Sequence, residues 1–484
     1  MFNFIKGEKT METKRDGFGS NFGFIMAAVG SAVGLGNIWG FPYKMGRNGG
    51  FSFLLIYLVL ALFVGLAVMV GELAIGRKTG KSPIAAYRAM SKKFAWMGYI
   101  AVAVPFLVLC FYFVLGGMVM RYAGGYLLAL FGVNTWGGDV STFFGNFLCN
   151  GFSMVGWTAI FIALNAFIVS RGVGGGIEKF CNIGMPCLFV LLIVCIIYVA
   201  CQPGAVDGYK FMFGWNLEPL KADFLTVMKT AAGQMFFSLS LGMGAMITYG
   251  SYLSKGEKLQ KNAVIIVIMD TMVALMAGMI VMPACYAFGV DTGSGPGLLF
   301  ASMQVVFERM GGFIGNLMGF LFYFLVFIAA ISSSMSLLEA ITAARVDANV
   351  EKGKAPKRGQ TAIVFAIIIF VFCLPTALDA LGTGTANGAP IAYPAELLGI
   401  ETQGWSDCWL DFYDMLSEGI LMPLGALVMA FAIGWIWKID TVIEEAEQAG
   451  NKFWGKGFFN LCYKFITPIG MVFVLYGQIT GFFG

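Results

Sequence analysis

The stretch that decides the fold is Gly30-Ser-Ala-Val-Gly-Leu-Gly-Asn37, in the middle of an apolar segment that spans residues 18–43. It holds three glycines within seven positions, and a glycine in a helix interior costs about 1 kcal/mol relative to alanine. In lipid, a broken helix is tolerated only where the freed backbone groups are buried in protein or line a polar cavity. The stretch is therefore either a close helix-packing face or a break that offers its backbone to something polar.

The composition indicates an integral membrane protein. Of the 484 residues, 58% are hydrophobic and 12% are charged, whereas soluble domains carry about 25% charged residues. The mean hydropathy is +0.80. Histidine is absent, which excludes a histidine-ligated metal site and a Ser-His-Asp triad, and no other catalytic constellation is evident, so we expect no enzyme. Most of the ten cysteines lie in or beside apolar runs, but Cys149 and Cys408 lie in predicted outer loops, and the sequence leaves undecided whether they form a disulfide.

Eleven segments are long and apolar enough to cross a bilayer, which takes about 20 residues per helix. Several of them exceed 25 residues, so we expect tilted helices. The segments are 18–43, 51–76, 95–131, 153–170, 179–202, 224–252, 262–288, 312–343, 361–378, 411–437 and 458–483.

Lysine and arginine alternate along the polar segments and thereby predict the orientation. The N-terminal segment 1–17 and every second polar segment after it hold 24 of the 31 basic residues, whereas the loop 379–411 holds none. Basic loops stay in the cytoplasm. We therefore expect a multi-pass protein of the cell's inner (plasma) membrane, with a cytoplasmic N-terminus and an outer C-terminus. Because the basic residues mark topology, the net charge of +4 does not indicate nucleic-acid binding.

A second glycine-interrupted segment follows five spans after the first. It reads Ser-Leu-Gly-Met-Gly at 240–244. A repeat of five spans turns the second copy upside down, and paired interruptions at matching positions indicate a transporter binding site at the bilayer midplane. The predicted repeats are 18–202 and 224–437, followed by an additional helix at 458–484. The alternative for the first interruption is small-residue packing, because Gly30 and Gly34 have the required spacing.

Polar side chains inside the spans favour a cation site. Asp270 lies deep in the seventh span, and Ser332, Ser333, Ser334 and Ser336 lie in the eighth. An intramembrane carboxylate indicates function by default, and oxygen ligands suit a hard ion such as Na⁺. The alternatives are a protonated structural aspartate and serines that bond back to their own helix.

These motifs together resemble the neurotransmitter:sodium symporter family. The resemblance rests on Gly30-Ser-Ala-Val-Gly-Leu-Gly-Asn-Ile-Trp-Gly-Phe-Pro42, on Gln234-Met-Phe-Phe-Ser-Leu-Ser-Leu-Gly-Met-Gly244, on Ser251-Tyr252 and on the serine run. Eleven spans resemble the bacterial amino-acid branch. The implied fold is an all-α, LeuT-like 5+5 inverted repeat with spans 1 and 6 unwound at the middle.

The resemblance also implies site residues. Backbone amides of the unwound segment and one tyrosine would meet the substrate carboxylate, and carbonyls would meet its ammonium group. For the substrate the implied residues are Ala32, Leu35, Gly36, Val108, Tyr112, Phe237, Ser238, Ser240, Met243, Ser334 and Leu337, with Phe237 as a lid. For one Na⁺ they are Gly30, Val33, Ala329, Ser332 and Ser333. For the other they are Ala32, Asn37, Ser238 and Asp270.

The implied gates contain one departure from the family. On the inner side Arg15 and Asp347 would form a gate, supported by Ser251 and Tyr252. On the outer side Asp414 remains, but Gly40 stands where the family usually has arginine. Lys44 or Arg47 could replace that arginine, or the outer gate could be looser.

Two further departures concern the ligands. Asp270 and Ala274 stand where animal members have asparagine and a chloride-binding serine, so we expect transport without chloride, although Tyr57, Gln234 and Ser238 of the chloride pattern remain. Gly34 replaces the aspartate of monoamine transporters, which favours a substrate with its own carboxylate. The flexible Met243 weakly favours a bulky, hydrophobic or aromatic side chain.

The sequence therefore predicts a symporter of neutral, preferably hydrophobic or aromatic, L-amino acids with one or two Na⁺ ions and no organic cofactor. It would act as a monomer or weak dimer in the bilayer. The alternatives are a proton-coupled carrier, in which Asp270 titrates, and an amino-acid sensor of the same fold that does not transport.

Overall fold

The computed structural model describes residues 17–137, 140–292, 295, 297–382, 393–399 and 408–483. Within these ranges the chain is helical and has no strand. Nine of the described helices are long and apolar enough to span a membrane, as expected where lipid offers the backbone no hydrogen bonds. They are Phe51–Thr79, Lys92–Leu130, Gly151–Ser170, Val173–Ala200, Leu259–Phe288, Gly312–Glu351, Arg358–Gly382, Trp409–Ile436 and Lys456–Phe482.

The remaining two predicted spans are broken helices. The first consists of Asn21–Ala32 and Gly36–Arg47, which are bent by 51°. The other consists of Phe224–Ser238 and Ala245–Gly250, and neither half is long enough to span alone. In the segment between these halves, Ser240, Gly242 and Gly244 have positive φ angles of 53°, 75° and 69°, which end the helix. Both breaks lie at the glycine motifs, so the predicted fold with spans 1 and 6 unwound is confirmed.

Short helices connect the spans, and the hydropathy pattern did not predict them because they are amphipathic or brief. Their bounds are Pro83–Met90, Val140–Leu148, Ala205–Phe213, Glu218–Ala222, Met303–Met310, Pro394–Leu398 and Asp440–Ala446. The eighth span was predicted to end at 343, but its helix continues to Glu351. Half of the eight added residues are polar, so the helix extends beyond its apolar window.

Glycines allow the second half of the sixth span to pack closely on the second span. A Cβ atom on Gly76 would lie 2.0 Å from the carbonyl oxygen of Ile247, and one on Gly250 would lie 2.6 Å from that of Leu73. Any larger residue would therefore force these two backbones apart. The short helix Ala245–Gly250 is positioned by this contact rather than by its own length.

Two further predictions concern the inner gate and a disulfide bond. Arg15 lies outside the described residues, so the predicted inner gate is described only at its other members. Both Cys149 and Cys408 are described, and no disulfide joins them.

Candidate functional site

The two breaks meet at the centre of the molecule and satisfy each other's backbone groups. Ser240 Oγ donates a hydrogen bond to the carbonyl oxygen of Ser31, at 2.9 Å. Gln234 Nε2 donates to the carbonyl oxygen of Gly36, at 2.8 Å. Unwinding would otherwise leave buried carbonyls unpaired, which costs about 1–3 kcal/mol per group. The breaks are thus stabilised as a pair.

A buried polar cluster joins the first, sixth and seventh spans. Asn37 Nδ2 lies 2.7 Å from Asp270 Oδ1 and 2.8 Å from Ser238 Oγ, and Ser238 Oγ donates to Asp270 Oδ2 at 2.8 Å. All three residues are at most 1% exposed. Asn37 Oδ1 in turn accepts from the backbone N–H of Gly34, at 2.9 Å. The cluster offers a carboxylate, a hydroxyl and an amide oxygen, which is a donor set for a hard monovalent cation once the Asn37 amide turns its oxygen inward.

The residues of the other implied sodium set also lie together. A Cβ atom on Gly30 would lie 3.2 Å from Ser332 Cβ, so the first and eighth spans touch at this point. Ser332 Oγ donates to the carbonyl oxygen of Ala329, at 3.1 Å. Val33 is the first unwound residue after Asn21–Ala32. This region therefore brings carbonyl and hydroxyl oxygens of two spans beside the first break.

A small cavity lies between the breaks and the third and eighth spans. Its volume is about 10 Å³, which is room for about one water molecule. An amino acid therefore fits only if side chains of the wall move. The lining residues are Ala32, Gly34, Gly36, Val108, Tyr112, Phe237, Ser240, Met243, Ser333 and Leu337, and all except Gly34 and Ser333 were predicted as substrate residues.

Ser334 was predicted to line the substrate pocket, but it does not line the central cavity in the state described. Its hydroxyl donates to Asn165 Oδ1 at 2.7 Å, on the side of the eighth span that faces the fourth. The cavity is lined instead by Ser333 and Leu337. Residues four apart share a face of an α-helix, whereas the next residue is turned by about 100°.

Two glycines allow large side chains to approach the first break. A Cβ atom on Gly34 would lie 2.5 Å from the hydroxyl oxygen of Tyr112, and one on Gly36 would lie 2.4 Å from Phe237 Cδ1. The Tyr112 hydroxyl accepts a hydrogen bond from the backbone N–H of Leu35, at 2.9 Å. The tyrosine can therefore still donate its own proton to an anion in the cavity.

At the end of the site that the sequence predicts to face outward, which we call the outer end, a second cavity of about 110 Å³ shares Gly36 and Phe237 with the central one. The Phe237 ring thus separates the two cavities. Lys44 lies in the outer cavity and forms an ion pair with Glu418, and Asp414 lines the same cavity. Lys44 therefore supplies a cation at this mouth.

The other candidate, Arg47, does not supply a cation at the outer mouth. The Arg47 guanidinium donates to the Tyr43 hydroxyl at the surface, at 2.9 Å. Glycine at position 40 has no side chain to supply a cation, and a Cβ atom there would lie 2.9 Å from Gln234 Oε1, the end of a flexible side chain. The structure thus favours Lys44 among the alternatives that the sequence left open.

The inner end contains the described members of the predicted inner gate. Asp347 Oδ2 accepts from the backbone N–H of Ser82, at 2.7 Å. Tyr252 donates to Glu339 Oε1 at 2.6 Å, and Arg358 forms an ion pair with the same carboxylate. Ser251 Oγ donates to the carbonyl oxygen of Thr248 within its own helix. Tyr252 therefore belongs to an ion-pair network, whereas Ser251 makes only a local bond.

A second ion-pair network on the inner side was not predicted from the sequence. Arg77 Nε lies 2.8 Å from Glu445 Oε1, and Lys255 Nζ lies 2.8 Å from the same oxygen. The side chains of Arg77 and Glu445 are 0% and 2% exposed. Arg77 ends the second span and Glu445 lies in a loop helix, so no sequence motif links the two.

Glu72 is a further residue that the sequence reasoning missed. It lies in the second span, is buried, and its Oε1 accepts from the backbone N–H of Gly242 at 2.7 Å. The carboxylate therefore stabilises the backbone of the second break, although it belongs to another span and lies outside the glycine motif of that break. The signal was available, because an ionisable residue within an apolar span is the same signal that identified Asp270.

Comparison with known proteins gives consistent findings. The family model described as the sodium:neurotransmitter symporter family matches residues 15–141 and 146–387. An uncharacterized sodium-dependent transporter of Bacillus subtilis, YhdH, is 33% identical over 97% of this chain and 98% of its own. An uncharacterized sodium-dependent transporter of Haemophilus influenzae is 29% identical over 95% of this chain and 97% of its own.

A solved structure adds a match in three dimensions. The crystal structure of MhsT in complex with L-phenylalanine superposes with a TM-score of 0.83. The two chains share 34% sequence identity, and the match covers 96% of this chain and 100% of the other. At this identity and coverage the likeness extends to the arrangement of the whole helix bundle.

Proposed function

The chain belongs to the sodium:neurotransmitter symporter family, a family of sodium-dependent membrane transporters, and on that premise we propose that it carries a neutral, hydrophobic or aromatic L-amino acid together with Na⁺. Transport would proceed by alternating access, with the inverted repeats 18–202 and 224–437 rocking about the central site. The helix 458–484 would pack outside the repeats. The homologues are transporters, and the chain is a multi-pass membrane protein rather than an enzyme.

The observation that carries the proposal is the link between Asp270 and the unwound first span. The carboxylate contacts Asn37, and Asn37 accepts the N–H of Gly34, which lines the central cavity. A cation that draws the Asn37 oxygen toward the carboxylate would release the Gly34 N–H and thereby change the same backbone segment that meets the substrate. Binding of each ligand would favour binding of the other, which is a reciprocal coupling of free energies.

The walls of the cavity support the proposed substrate class. We propose that the Tyr112 hydroxyl and the N–H groups of Leu35 and Gly36 bind the substrate carboxylate, because unwound helix ends present donors to anions. The Leu35 N–H, which donates to the Tyr112 hydroxyl in the state described, would turn to the carboxylate when the substrate enters. The carbonyls of Ala32 and Phe237 would accept from its ammonium group. The apolar part of the wall is formed by Val108, Met243 and Leu337, with Ser240 beside them. L-phenylalanine in the related MhsT structure supports a large apolar side chain.

We propose up to two Na⁺ positions. One would use Ala32, Asn37, Ser238 and Asp270 with the substrate carboxylate, and the other Gly30, Val33, Ala329, Ser332 and Ser333. Tyr57 lies near Ser238, with their hydroxyls 3.4 Å apart, so the Asp270 carboxylate takes up the region of the chloride pattern. A fixed negative charge there would balance Na⁺ without chloride.

We propose the inner (plasma) membrane as the location, with a cytoplasmic N-terminus, an outer C-terminus and a monomer or weak dimer as the working unit. The support is the distribution of basic residues. On this orientation the Lys44–Glu418 pair would lie at the outer mouth, and Arg15, Asp347, Ser251 and Tyr252 would contribute to the inner gate. Asp414 and the Phe237 ring would close the outer side.

The decisive experiment is uptake of radiolabelled amino acids into proteoliposomes under an imposed Na⁺ gradient with pH equal on both sides. We expect concentrative uptake of L-phenylalanine, L-leucine or a similar residue, which disappears when Na⁺ is replaced by K⁺. Uptake that follows a pH gradient instead would show the proton-coupled carrier, and Na⁺-dependent binding without counterflow would show a sensor. Replacing chloride by gluconate should leave uptake unchanged, and stimulation by chloride would refute chloride independence.

Asp270→Asn is the matched variant for this assay. It keeps the size and the hydrogen-bonding reach toward Asn37 and Ser238 but removes the charge. We expect the apparent Na⁺ affinity to fall by on the order of 10-fold or more, because a buried ion loses its counter-charge. If uptake by Asp270→Asn keeps the wild-type Na⁺ dependence, the carboxylate does not bind Na⁺.

A further inference from the structure

A basic pocket lies where the seventh and eleventh spans begin, and it shares no lining residue with the central cavity. Its volume is about 470 Å³. Lys258, Lys261 and Lys452 contribute three exposed cations to its wall, and of the nine described residues that line it none is acidic. Among the described residues, none of the three lysines has an ion-pair partner. The pocket therefore presents uncompensated positive charge.

Neighbouring carboxylates are engaged by other cations and leave this charge in place. Glu445 pairs with Arg77 and Lys255, and Glu447 pairs with Lys456 at 3.2 Å. The backbone N–H of Phe453 also donates to Glu447 Oε1, and these contacts lower the pKa of that exposed carboxyl. Glu445 and Glu447 thus bind cations other than the three lysines of the pocket.

The pocket is held together by hydrogen bonds between its two walls. Gln260 Nε2 donates to the carbonyl oxygen of Trp454 at 2.9 Å, and the N–H of Trp454 donates to Gln260 Oε1 at 3.0 Å. Asn451 Nδ2 adds bonds to the carbonyl oxygens of Gly256 and Glu257, each at 3.4 Å. These bonds tie the start of the seventh span to the segment before the eleventh. The shape of the pocket is therefore built into the fold.

The position of the pocket relative to the bilayer points to a lipid. The helices Leu259–Phe288 and Lys456–Phe482 cross the membrane, and both begin at the edge of the pocket. Trp454 lines the pocket and is 55% exposed, and tryptophan favours the membrane–water interface. The helix Leu259–Phe288 begins without a side-chain cap at Lys258, so its first N–H groups add to the positive field.

We propose that this pocket binds the phosphate group of an anionic phospholipid, with its headgroup against the three lysines and its acyl chains along the two spans. Basic pockets between spans on the cytoplasmic side bind anionic headgroups. The same chemistry would accept a soluble phosphate, which has no acyl chains to bury. The leaflet rests on the proposed orientation, whereas binding itself does not depend on the proposed transport.

The test is a calorimetric titration of the full chain, purified in a neutral detergent, with dioctanoyl phosphatidylglycerol. Dioctanoyl phosphatidylcholine and inorganic phosphate form the two comparison arms. Fluorescence of wild type minus that of Trp454→Phe reports occupancy of the pocket itself. We expect phosphatidylglycerol to bind and to change this difference signal, and phosphatidylcholine not to. Inorganic phosphate at the same concentration should not displace the lipid.

The variants compare equal losses of charge. Lys258→Gln, Lys261→Gln and Lys452→Gln together should weaken binding by on the order of 100-fold, from about fivefold per lysine. The control combines Lys92→Gln, Lys93→Gln and Lys354→Gln, three exposed basic residues outside the pocket, and should bind like wild type. Lys452→Gln alone should cost about fivefold, which keeps a readout if the triple variant folds poorly.

Three results would overturn the proposal. One is unchanged binding in the pocket variants, and another is an equal loss in the control variant, which would indicate unspecific attraction. The third is lysine-dependent binding of inorganic phosphate without binding of phosphatidylglycerol, which would assign the pocket to a soluble anion. None of these results bears on Na⁺-driven uptake, so failure here is distinguishable from failure of the proposed function.

Discussion

The outer and inner ends of the central site are closed in different ways. At the outer end, the Phe237 ring separates the central cavity from the outer one, and a single ion pair lines the outer cavity, in which the side chains of Lys44 and Glu418 are 18% and 9% exposed. Inside, the carboxylates of Glu339 and Glu445 are 0% and 2% exposed and each accepts from more than one group. The described state is thus thinly closed outside and firmly closed inside.

The two ends of the site therefore differ in the free energy needed to open them. Breaking a buried ion pair costs about 3–5 kcal/mol when one charge is left unpaired, and the outer end holds one such pair whereas the inner end holds two networks. Opening the inner end therefore needs the larger driving force. A ligand shifts the equilibrium only by the difference in its affinity for the two states.

The largest expected effect comes from filling the layer between the two cavities with Gly36→Leu. Its Cβ atom would lie 2.4 Å from the Phe237 ring, so the leucine must displace the ring or the unwound backbone. We expect Na⁺-driven uptake to fall by on the order of 100-fold while the protein stays folded, as gel filtration in detergent would report. Gly156→Leu is the control, because nothing lies within 4 Å of a Cβ atom there. Normal uptake by Gly36→Leu would place the break elsewhere.

The firm inner closure is tested by Arg77→Leu. The substitution leaves Glu445 buried with Lys255 as its remaining partner, so we expect the free energy of unfolding to fall by about 3 kcal/mol. Denaturant titration in micelles measures this change. Lys78→Gln is the matched control, because Lys78 is 37% exposed and lies 3.8 Å from Glu444. An equally small effect of both variants would mean that the inner closure is no firmer than the surface.

The thin outer closure is tested by Lys44→Gln. Glu418 and Asp414 would then face each other without a cation, so the mouth should open more readily and release substrate faster. We expect the half-saturation concentration of uptake to rise about fivefold, equivalent to about 1 kcal/mol. Arg47→Gln removes the same charge one turn away at an exposed site and should leave that concentration unchanged. A rise of equal size in both variants would refute a specific role of Lys44.

The smallest effect is expected between the two ends, for Ser334→Ala. Its hydroxyl binds Asn165 away from the cavity, so the loss should cost about 1 kcal/mol of stability and leave substrate selectivity intact. Ser333→Ala, one residue earlier and on the cavity wall, should instead alter substrate or Na⁺ affinity. Competition uptake with a panel of amino acids measures the substrate selectivity of both variants. A selectivity change with Ser334→Ala alone would restore the original assignment of that serine.

The two long motifs predicted both breaks to within about one residue. This was possible because a glycine destabilises a helix whatever packs against it, so its effect can be predicted from the local sequence. Asp270 could be identified for a similar reason, because the free-energy cost of a carboxylate in lipid depends on its position within a single span. Most of the cavity wall followed from the family resemblance.

The contacts that lie outside the motifs were not predictable in this way. Ser334 was assigned to the cavity because its motif is right, but a rotation of one residue along the eighth span turns its hydroxyl to Asn165. Lys44 stayed one of several alternatives until the position of Glu418 was known. Glu72 was overlooked, although its position within a span carried the signal.

The sequence alone determined the number of spans, the places where two of them break and the residues that interrupt them. These are properties of a single segment, set by the cost of glycine or charge in a helix surrounded by lipid. Only the tertiary structure decided which carboxylate meets which cation and which serine faces the cavity. Those pairings join residues as far apart as Arg77 and Glu445, and they depend on how helices rotate and pack, which no local pattern encodes.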